Sequence, residues 1–227
     1  MDKALQMLRL QQQLNDATNG ENWELGITKN GKAIDWKRCI YMECAEMIDS
    51  FAWKHWKSIH QEPDWANLQI EVVDVWHFVM SLALQEYRNL GLGSIEILAE
   101  RIAQMEAYGA LLTPAAGFKT PETLMEKIEE VMADVLRREG FELEKLLEDF
   151  FTLTRMSALD LTSLYRLYVG KNILNRFRQD HGYKEGSYIK EWNGVEDNAV
   201  MKRIWEEEGE LTPEALYAEL EGHYSAL

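Results

Sequence analysis

The segment 68–84, LQIEVVDVWHFVMSLAL, restricts the possible folds more than any other part of the chain. It is apolar on nearly every side of a helix, and its polar residues form one narrow stripe. That stripe consists of Glu71, Asp74, His77 and Ser81. A helix that is apolar almost all round is buried. The sequence therefore predicts a helix from about 65 to 87 that crosses the core and carries carboxylates into it.

A second helix, predicted from about residue 36 to 57, has the same inverted pattern. Glu43 and Glu46 stand among apolar residues, and their spacing of three puts both on one helical face. The short turn 61–64 between the two helices makes them antiparallel neighbours. Four carboxylates are thus expected on two adjacent, largely buried helices.

A solvated helix surface is the ordinary explanation of a Glu-x-x-Glu motif, but these stripes are narrow, purely acidic and flanked by apolar residues. Buried carboxylates must be protonated, paired or bound to cations. Neither helix supplies enough Lys or Arg beside its stripe, which favours a multivalent metal. Oxygen ligands favour Mg²⁺ or Mn²⁺. The alternative is a di-iron helical bundle, in which two helices each carry a Glu-x-x-His motif. Only Asp74-x-x-His77 resembles that motif here, and we expect His77 to be a hydrogen-bonded core residue instead of a metal ligand.

The rest of the chain also favours helices, so the predicted fold class is all-α, a multi-helix bundle. Apolar periodicity near 3.6 residues recurs, and no alternating run is long enough for a convincing sheet. Further helices are predicted from the start of the chain to about 19, and over 95–108, 121–140, 142–156 and 161–179, with another opening at Thr212-Pro213. Residues 21–36 are expected to form a loop held by Trp23 and Trp36. We expect one domain over 1–227, with a rigid core of about 1–90 and 141–180 and a more mobile remainder.

Charge and cysteine content exclude several classes of function. With 24 Lys plus Arg against 39 Asp plus Glu, the formal net charge is −15, which opposes binding to nucleic acids or anionic membranes. No apolar stretch approaches the ~20 residues needed to span a bilayer, and no signal peptide is apparent. A cytoplasmic protein is expected. Cys39 and Cys44, five apart in an apolar segment, fit reduced core thiols.

Several blocks of the sequence closely resemble the dimeric all-α dUTPases, which belong with the MazG-like all-α nucleotide pyrophosphohydrolases. The blocks are LQQQLND at 10–16, ECAEMIDS at 43–50, WKHWK at 53–57, EVVDVWHF at 71–78, GKNILNRFR at 170–178, GYKEGSY at 182–188 and WNG at 192–194. Together they lie towards both ends of the chain, and residues 88–160 carry no recognised motif. The paired acidic motifs indicate only the superfamily, whereas the amide-bearing first helix and the block at 170–178 indicate dUTPase.

The resemblance implies a bundle with a four-helix metal-binding core that hydrolyses dUTP to dUMP and pyrophosphate with Mg²⁺. It implies two or more ions per site, with Mn²⁺ as a substitute, and a homodimer, and it leaves open whether dUDP is also a substrate. The implied metal ligands are Glu43, Glu46, Glu71 and Asp74. On chemical grounds one carboxylate of the first pair activates water, and we expect Glu46 rather than Glu43 in that catalytic role. The implied nucleoside contacts are Gln12, Asn15, Trp53, His55, Trp56 and Phe78, and the implied phosphate-side residues are Lys171, Asn175, Arg178, Tyr183 and Lys190.

Other functions remain open at this stage. A side-chain amide such as that of Gln12 or Asn15 suits cytosine as well as uracil if it rotates, so a related pyrophosphohydrolase acting on dCTP or on many bases is the nearest alternative. A di-iron bundle and a non-catalytic helical interaction module are more distant ones.

Overall fold

The computed structural model describes residues 2–57, 61–137, 139–207 and 211–227. In these ranges the chain forms ten α-helices, a 3₁₀ turn at Trp23–Leu25 and one two-stranded hairpin. The helices are α1 Lys3–Asn19, α2 Trp36–Asp49, α3 Trp65–Leu90, α4 Ile95–Ala103, α5 Glu106–Ala110, α6 Pro121–Leu136, α7 Leu143–Met156, α8 Leu161–Asp180, α9 Asp197–Glu207 and α10 Pro213–Tyr224; the strands are β1 Glu191–Trp192 and β2 Val195–Glu196. The predicted all-α class is confirmed.

Local side-chain bonds begin several of these helices. Asp35 accepts a hydrogen bond from the Arg38 amide at the start of α2, and Asp64 accepts one from the Asn67 amide at the start of α3. Such caps satisfy amide groups that have no partner within the helix. Thr120 caps α6 in the same way, directly before a proline that suits the first helical position. These signals explain why the predicted helix starts are accurate.

The chain divides into two compact units, residues 1–164 and 165–227. In the first unit, α3 packs against α1, α2, α4 and α7, and α2 also packs against α6. Trp76 of α3 lies in the core, stacked on Phe150 with ring centroids 4.9 Å apart. The prediction that α3 is buried on nearly all sides is confirmed. The single-domain organisation stays a prediction.

The second unit is organised around Phe177 of α8. Its ring is fully buried and contacts Trp192 of the hairpin and both Tyr217 and Tyr224 of α10, with centroid distances of 5.2–5.9 Å. The helix α9 packs against the hairpin and against α10. Aromatic side chains thus join the hairpin and the last helix to α8, because each buries a large apolar area at low entropic cost.

Several predicted helix boundaries are wrong. The helix α2 ends at Asp49 rather than at residue 57, because Asp49 bonds Trp53 and Lys54 and Ser50 accepts a bond from Asn67. The predicted helix 95–108 is two helices, α4 and α5, and α6 ends at Leu136 rather than near residue 140. The hairpin and α9 were not expected at all.

Trp23 and Trp36 hold the loop between α1 and α2, as predicted. Both indoles are buried and meet edge to face with centroids 5.6 Å apart. Cys39 and Cys44 are free thiols, and Cys44 is buried whereas Cys39 is half-buried. Burial raises the pKa of both thiols, which keeps them protonated at neutral pH. Among the helices that the structure describes, none has the length and apolar character needed to cross a membrane.

A charged cluster joins α6 to α7. It consists of Lys127 and Asp134 on α6 with Lys145 and Asp149 on α7, and we call it the α6–α7 charge cluster. Lys127 Nζ lies 2.5 Å from Asp149 Oδ1, Lys145 Nζ lies 2.9 Å from Asp134 Oδ2, and Lys145 also contacts Asp149. Burial raises the pKa of Asp134. For Asp149 burial acts in the same direction, but bonds from both lysines outweigh it and lower the pKa to about 2. Each acid in this cluster therefore has a lysine of the chain beside it.

Candidate functional site

Three of the four predicted metal ligands converge between α2 and α3. Glu43, Glu46 and Glu71 each offer a carboxylate oxygen, and these oxygens all lie within 4.8 Å of one another. We call them the acidic trio. The spacing of three puts Glu43 and Glu46 on one face of α2, and the packing of α2 on α3 brings Glu71 to them. A donor set of carboxylate oxygens suits a hard divalent cation such as Mg²⁺ or Mn²⁺.

The burial of these carboxylates differs from the expectation. They were predicted to be largely buried, but Glu46 is exposed and Glu43, Glu71 and Asp74 are half-buried. The reason lies in α2, which buries only the stripe Trp36, Ile40, Cys44 and Met47 and leaves Met42 half exposed. The acidic side of α2 is therefore accessible to water and to a ligand. Asp74 lies one turn beyond Glu71 on α3 and is not one of the three converging groups.

The predicted wall residues Trp53, His55 and Trp56 lie together on the segment that follows α2. Trp53 is 42% exposed and Trp56 is 62% exposed, and their rings meet edge to face with centroids 5.5 Å apart. His55 lies 5.0 Å from Trp56. Asp49 anchors the segment, accepting from Trp53 Nε1 at 3.2 Å and pairing with Lys54 at 2.5 Å. Large aromatic rings exposed to solvent on one short segment offer a surface on which a planar base can stack.

Phe78, the predicted nucleoside contact on α3, packs on Trp36. The two rings stack with centroids 5.9 Å apart, and Phe78 remains half-buried. The same tryptophan that holds the loop after α1 thus also supports Phe78.

The two predicted base-binding amides are not partners of each other. Gln12 Nε2 donates to Asp16 Oδ1 at 2.9 Å and to Glu24 Oε1 at 3.1 Å. Asn15 is buried, and its Oδ1 accepts a bond from Gln11 Nε2 at 3.2 Å. The spacing of four between Gln11 and Asn15 could have revealed this pairing, because residues four apart share a helical face.

Asn15 belongs to a buried polar network that also includes Gln11, His77 and Ser81. Ser81 Oγ accepts from Asn15 Nδ2 at 2.9 Å and from Gln11 Nε2 at 3.0 Å, and it donates to the His77 carbonyl oxygen at 2.8 Å. His77 Nδ1 lies 2.7 Å from Gln11 Oε1. The prediction of a hydrogen-bonded core histidine is confirmed. We call these four residues the Ser81 network.

In the second unit, the predicted phosphate-side residues include Arg178 and Tyr183, and Asn175 and Lys190 lie beside these two. Arg178 Nη1 donates to Asn175 Oδ1 at 3.3 Å, and the Arg178 guanidinium lies 5.8 Å from the centre of the Tyr183 ring. The Lys190 ammonium lies 5.6 Å from the same ring. Lys171 is buried on α8, whereas Lys190 is exposed. The unit therefore brings these predicted residues into one neighbourhood.

Asp197 and Asn198 hold the two buried cations of this neighbourhood, and the sequence did not single out either residue. Asp197 is buried and accepts from Arg178 Nε at 2.8 Å and from Nη2 at 2.7 Å. Asn198 Oδ1 accepts from Lys171 Nζ at 2.7 Å and from Arg178 Nη2 at 3.3 Å. Burial acts to raise the pKa of Asp197, but the bonds from Arg178 outweigh this and lower it. Tyr188 adds a third bond, its hydroxyl donating to Asp197 Oδ2 at 2.8 Å.

The hairpin β1–β2 explains how Asp197 reaches Arg178. Asn193 and Gly194 form its turn with φ values of 52° and 82°, the left-handed conformation that a two-residue hairpin needs. The Asp197 amide then donates to the Lys190 carbonyl at 2.9 Å as α9 begins. An Asn-Gly pair is a strong hairpin signal, so the sequence could have indicated this element.

Comparison with known proteins supplies the family. Residues 3–183 match the family model described as dUTPase, which covers more than half of the chain. The match includes all four predicted metal ligands and ends at Tyr183, before Lys190 and Asp197. No curated protein matches the chain. The chain belongs to the all-α dUTPase family, whose members hydrolyse dUTP to dUMP and pyrophosphate.

Proposed function

We propose that the acidic trio, together with Asp74, binds Mg²⁺ for the hydrolysis of dUTP at its α-phosphate. The observation that carries this proposal is the convergence of three carboxylate oxygens from two helices within 4.8 Å. Carboxylates at such separations repel one another, and a divalent cation among them turns the repulsion into attraction. Enzymes of this family generally use a divalent metal. We expect two or more ions per site, with Mn²⁺ able to replace Mg²⁺.

Within this site we assign the activation of water to Glu46, assisted by Glu43. A bound divalent metal lowers the pKa of a coordinated water and neutralises charge on the phosphates. Glu46 is the exposed member of the trio, so water reaches its carboxylate most readily. A carboxylate in that position can orient a water molecule and accept its proton. Glu43 is half-buried one turn away on α2, and it is proposed to assist by holding the metal that binds this water.

We assign recognition of the base and sugar to residues of the first unit. Asn15 and Gln12, three residues apart on α1, are the proposed hydrogen-bonding partners of uracil. Trp53, His55 and Trp56 form the proposed stacking wall. The exposure of both tryptophans supports this role. Phe78 is proposed to pack on the deoxyribose.

We assign the phosphates of dUTP to residues of the second unit: Lys171, Asn175, Arg178, Tyr183 and Lys190. The Nε and Nη2 groups of Arg178 already hold Asp197, so Arg178 is proposed to offer Nη1 to a phosphate oxygen, whereas each lysine acts as a point charge. The packing of Arg178 and Lys190 on one tyrosine ring supports a common role. We also propose, from family membership, that the protein is a homodimer, that it accepts dUDP, and that it limits the incorporation of uracil into DNA.

The proposed metal dependence is tested by measuring pyrophosphate release from dUTP before and after chelation with EDTA. We expect activity to disappear on chelation and to return with Mg²⁺ or Mn²⁺. Undiminished hydrolysis in the metal-free protein would contradict the proposal. The same assay with dCTP, dTTP, UTP and dUDP measures base and sugar selection, and equal rates for dUTP and dCTP would remove the role given to Asn15.

A further inference from the structure

We propose that Ser81 is a positioning residue that makes the enzyme select uracil over cytosine. It does so by fixing which end of the Asn15 carboxamide is the donor and which is the acceptor. The inference rests on the proposed function in one respect, the contact between Asn15 and the base. Ser81 itself has no proposed contact with the nucleotide.

The direction of the hydrogen bonds around Ser81 follows from its single hydroxyl hydrogen. Ser81 Oγ lies 2.8 Å from the His77 carbonyl oxygen, which has no hydrogen to give, so Ser81 must be the donor in that contact. Its oxygen can then only accept from other groups. The two amides in contact with it, those of Gln11 and Asn15, must therefore present their NH₂ ends.

The orientation of both amides is thereby determined. Asn15 turns Nδ2 towards Ser81, and its Oδ1 accepts from Gln11 Nε2. Gln11 then turns Oε1 towards His77, so that His77 Nδ1 must carry a hydrogen in this 2.7 Å contact. A rotated Asn15 amide would bring its oxygen against the Ser81 oxygen with no hydrogen between them.

Burial makes this orientation costly to change. Gln11, Asn15, His77 and Ser81 are each at most 4% exposed. Water therefore cannot easily replace a lost partner, and a buried polar group without one is destabilised by about 1–3 kcal/mol. A rotated amide would break bonds to two residues at once, which is why the network holds one orientation.

A fixed amide distinguishes two bases that a rotating one would accept equally. Uracil has a donor at N3 and an acceptor at O4, whereas cytosine has an acceptor at N3 and a donor at N4. The NH₂ group of Asn15 has a second hydrogen and its oxygen a second lone pair beyond those used in the network. A site with a fixed donor and acceptor rejects the base with the opposite pattern, because buried groups would then face like groups.

The test measures kcat/KM for dUTP and for dCTP in the wild type, Ser81→Ala and Gln11→Met. Each substitution removes a hydrogen bond that fixes Asn15. We therefore expect the ratio of kcat/KM for dUTP to kcat/KM for dCTP to fall about tenfold or more, because one buried hydrogen bond typically contributes that much free energy. The double variant is expected to lower the ratio no further than the stronger single one, because both act through the same amide.

Ser157→Ala is the matched control. Ser157 is also fully buried, and its hydroxyl donates to the carbonyl four residues earlier, that of Leu153, at 3.0 Å. We expect this variant to lose stability without a change in the dUTP to dCTP ratio. Melting temperatures of all variants separate folding defects from changes in selection, and Gln11→Met carries the test if Ser81→Ala does not fold.

An unchanged ratio in active Ser81→Ala or Gln11→Met would overturn the inference while leaving dUTP hydrolysis intact. A wild type that treats dUTP and dCTP alike would instead overturn the assignment of Asn15. Nitrogen NMR of His77 provides a test that needs no variant. A hydrogen on Nδ1 is expected, and a bare Nδ1 would contradict the direction of the network.

Discussion

Two acidic clusters of the first unit use carboxylates in different ways. In the α6–α7 charge cluster, Asp134 and Asp149 each lie beside a lysine ammonium of the chain. In the acidic trio, carboxylate oxygens from α2 and α3 point at one another within 4.8 Å. The first arrangement joins two helices and stabilises the fold. The second brings three carboxylates to one point, and this is the arrangement that we propose binds Mg²⁺.

Replacing Glu46 by Gln should give the largest effect, because it removes a charge from the trio and the proposed base together. We expect dUTP hydrolysis at saturating Mg²⁺ to fall at least about 100-fold, in line with the loss of one electrostatic catalytic group. Glu130→Gln is the matched control, since Glu130 is exposed and pairs with Lys127 at 2.8 Å. Similar activity in both variants would remove the distinction between the clusters.

Lys127→Met should destabilise the fold without affecting turnover. Lys127 and Asp149 are both mostly buried, so the substitution leaves Asp149 with one lysine instead of two. We expect the free energy of unfolding in urea to fall by about 2 kcal/mol, because breaking a buried pair leaves a charge poorly compensated. Glu46→Gln in metal-free buffer should instead leave stability unchanged or raise it. A loss of stability in Glu46→Gln equal to that in Lys127→Met would contradict the comparison.

The second unit extends the comparison to Asp197, an acid that Arg178 neutralises and for which we propose a role in positioning Arg178 for the substrate. Asp197→Asn removes the charge that holds Arg178, so we expect KM for dUTP to rise about tenfold with a smaller change in kcat. Asp180→Asn is the control, since Asp180 also accepts a tyrosine hydroxyl bond, from Tyr217 at 2.9 Å, but is exposed. Equal KM values in the two variants would remove the positioning role of Asp197.

The smallest predicted effect is a pH dependence that originates in the α6–α7 charge cluster. Burial acts to raise the pKa of Asp149, but the bonds from Lys127 and Lys145 lower it to about 2, below the value near 4 of an unfolded chain. Asp149 therefore stabilises the fold above pH ~4, and this contribution disappears as the pH falls towards 2. The raised pKa of Asp134 acts in the opposite direction.

Urea unfolding of the wild type and of Asp149→Asn between pH 6 and 2 measures this contribution. The stability difference between the two proteins should shrink as the pH falls from 4 to 2. A difference that stays constant over this range would show that the ion pairs of Asp149 do not stabilise the fold.

The sequence predicts the helices well where a local signal begins or ends them. Asp64, Thr120 with Pro121, and Thr212 with Pro213 mark helix starts that the structure confirms. The end of α2 was missed because it depends on bonds from Asp49 to later residues, which no helical period records. The periodicity also overestimated the burial of α2, since an apolar surface can remain open to solvent, as at Met42.

The candidate site was predictable to different degrees. The spacing of three places Glu43 and Glu46 on one face of α2, and the short turn between α2 and α3 indicated that Glu71 would lie near them. Asp74, predicted with these three, is not one of the converging groups. The partners of Asn15 were not predictable, because they depend on how α1 packs on α3. Asp197 was missed because the hairpin that carries it to Arg178 was not recognised.

The proposed metal site is tested most directly by crystals of the protein grown with Mn²⁺ and a non-hydrolysable dUTP analogue. Anomalous scattering locates Mn²⁺ independently of the surrounding protein atoms. We predict anomalous peaks at direct coordination distance from the carboxylates of Glu43, Glu46 and Glu71, with the phosphates of the analogue sharing the ions. Bound nucleotide with Mn²⁺ elsewhere and none at these three carboxylates would contradict the central claim.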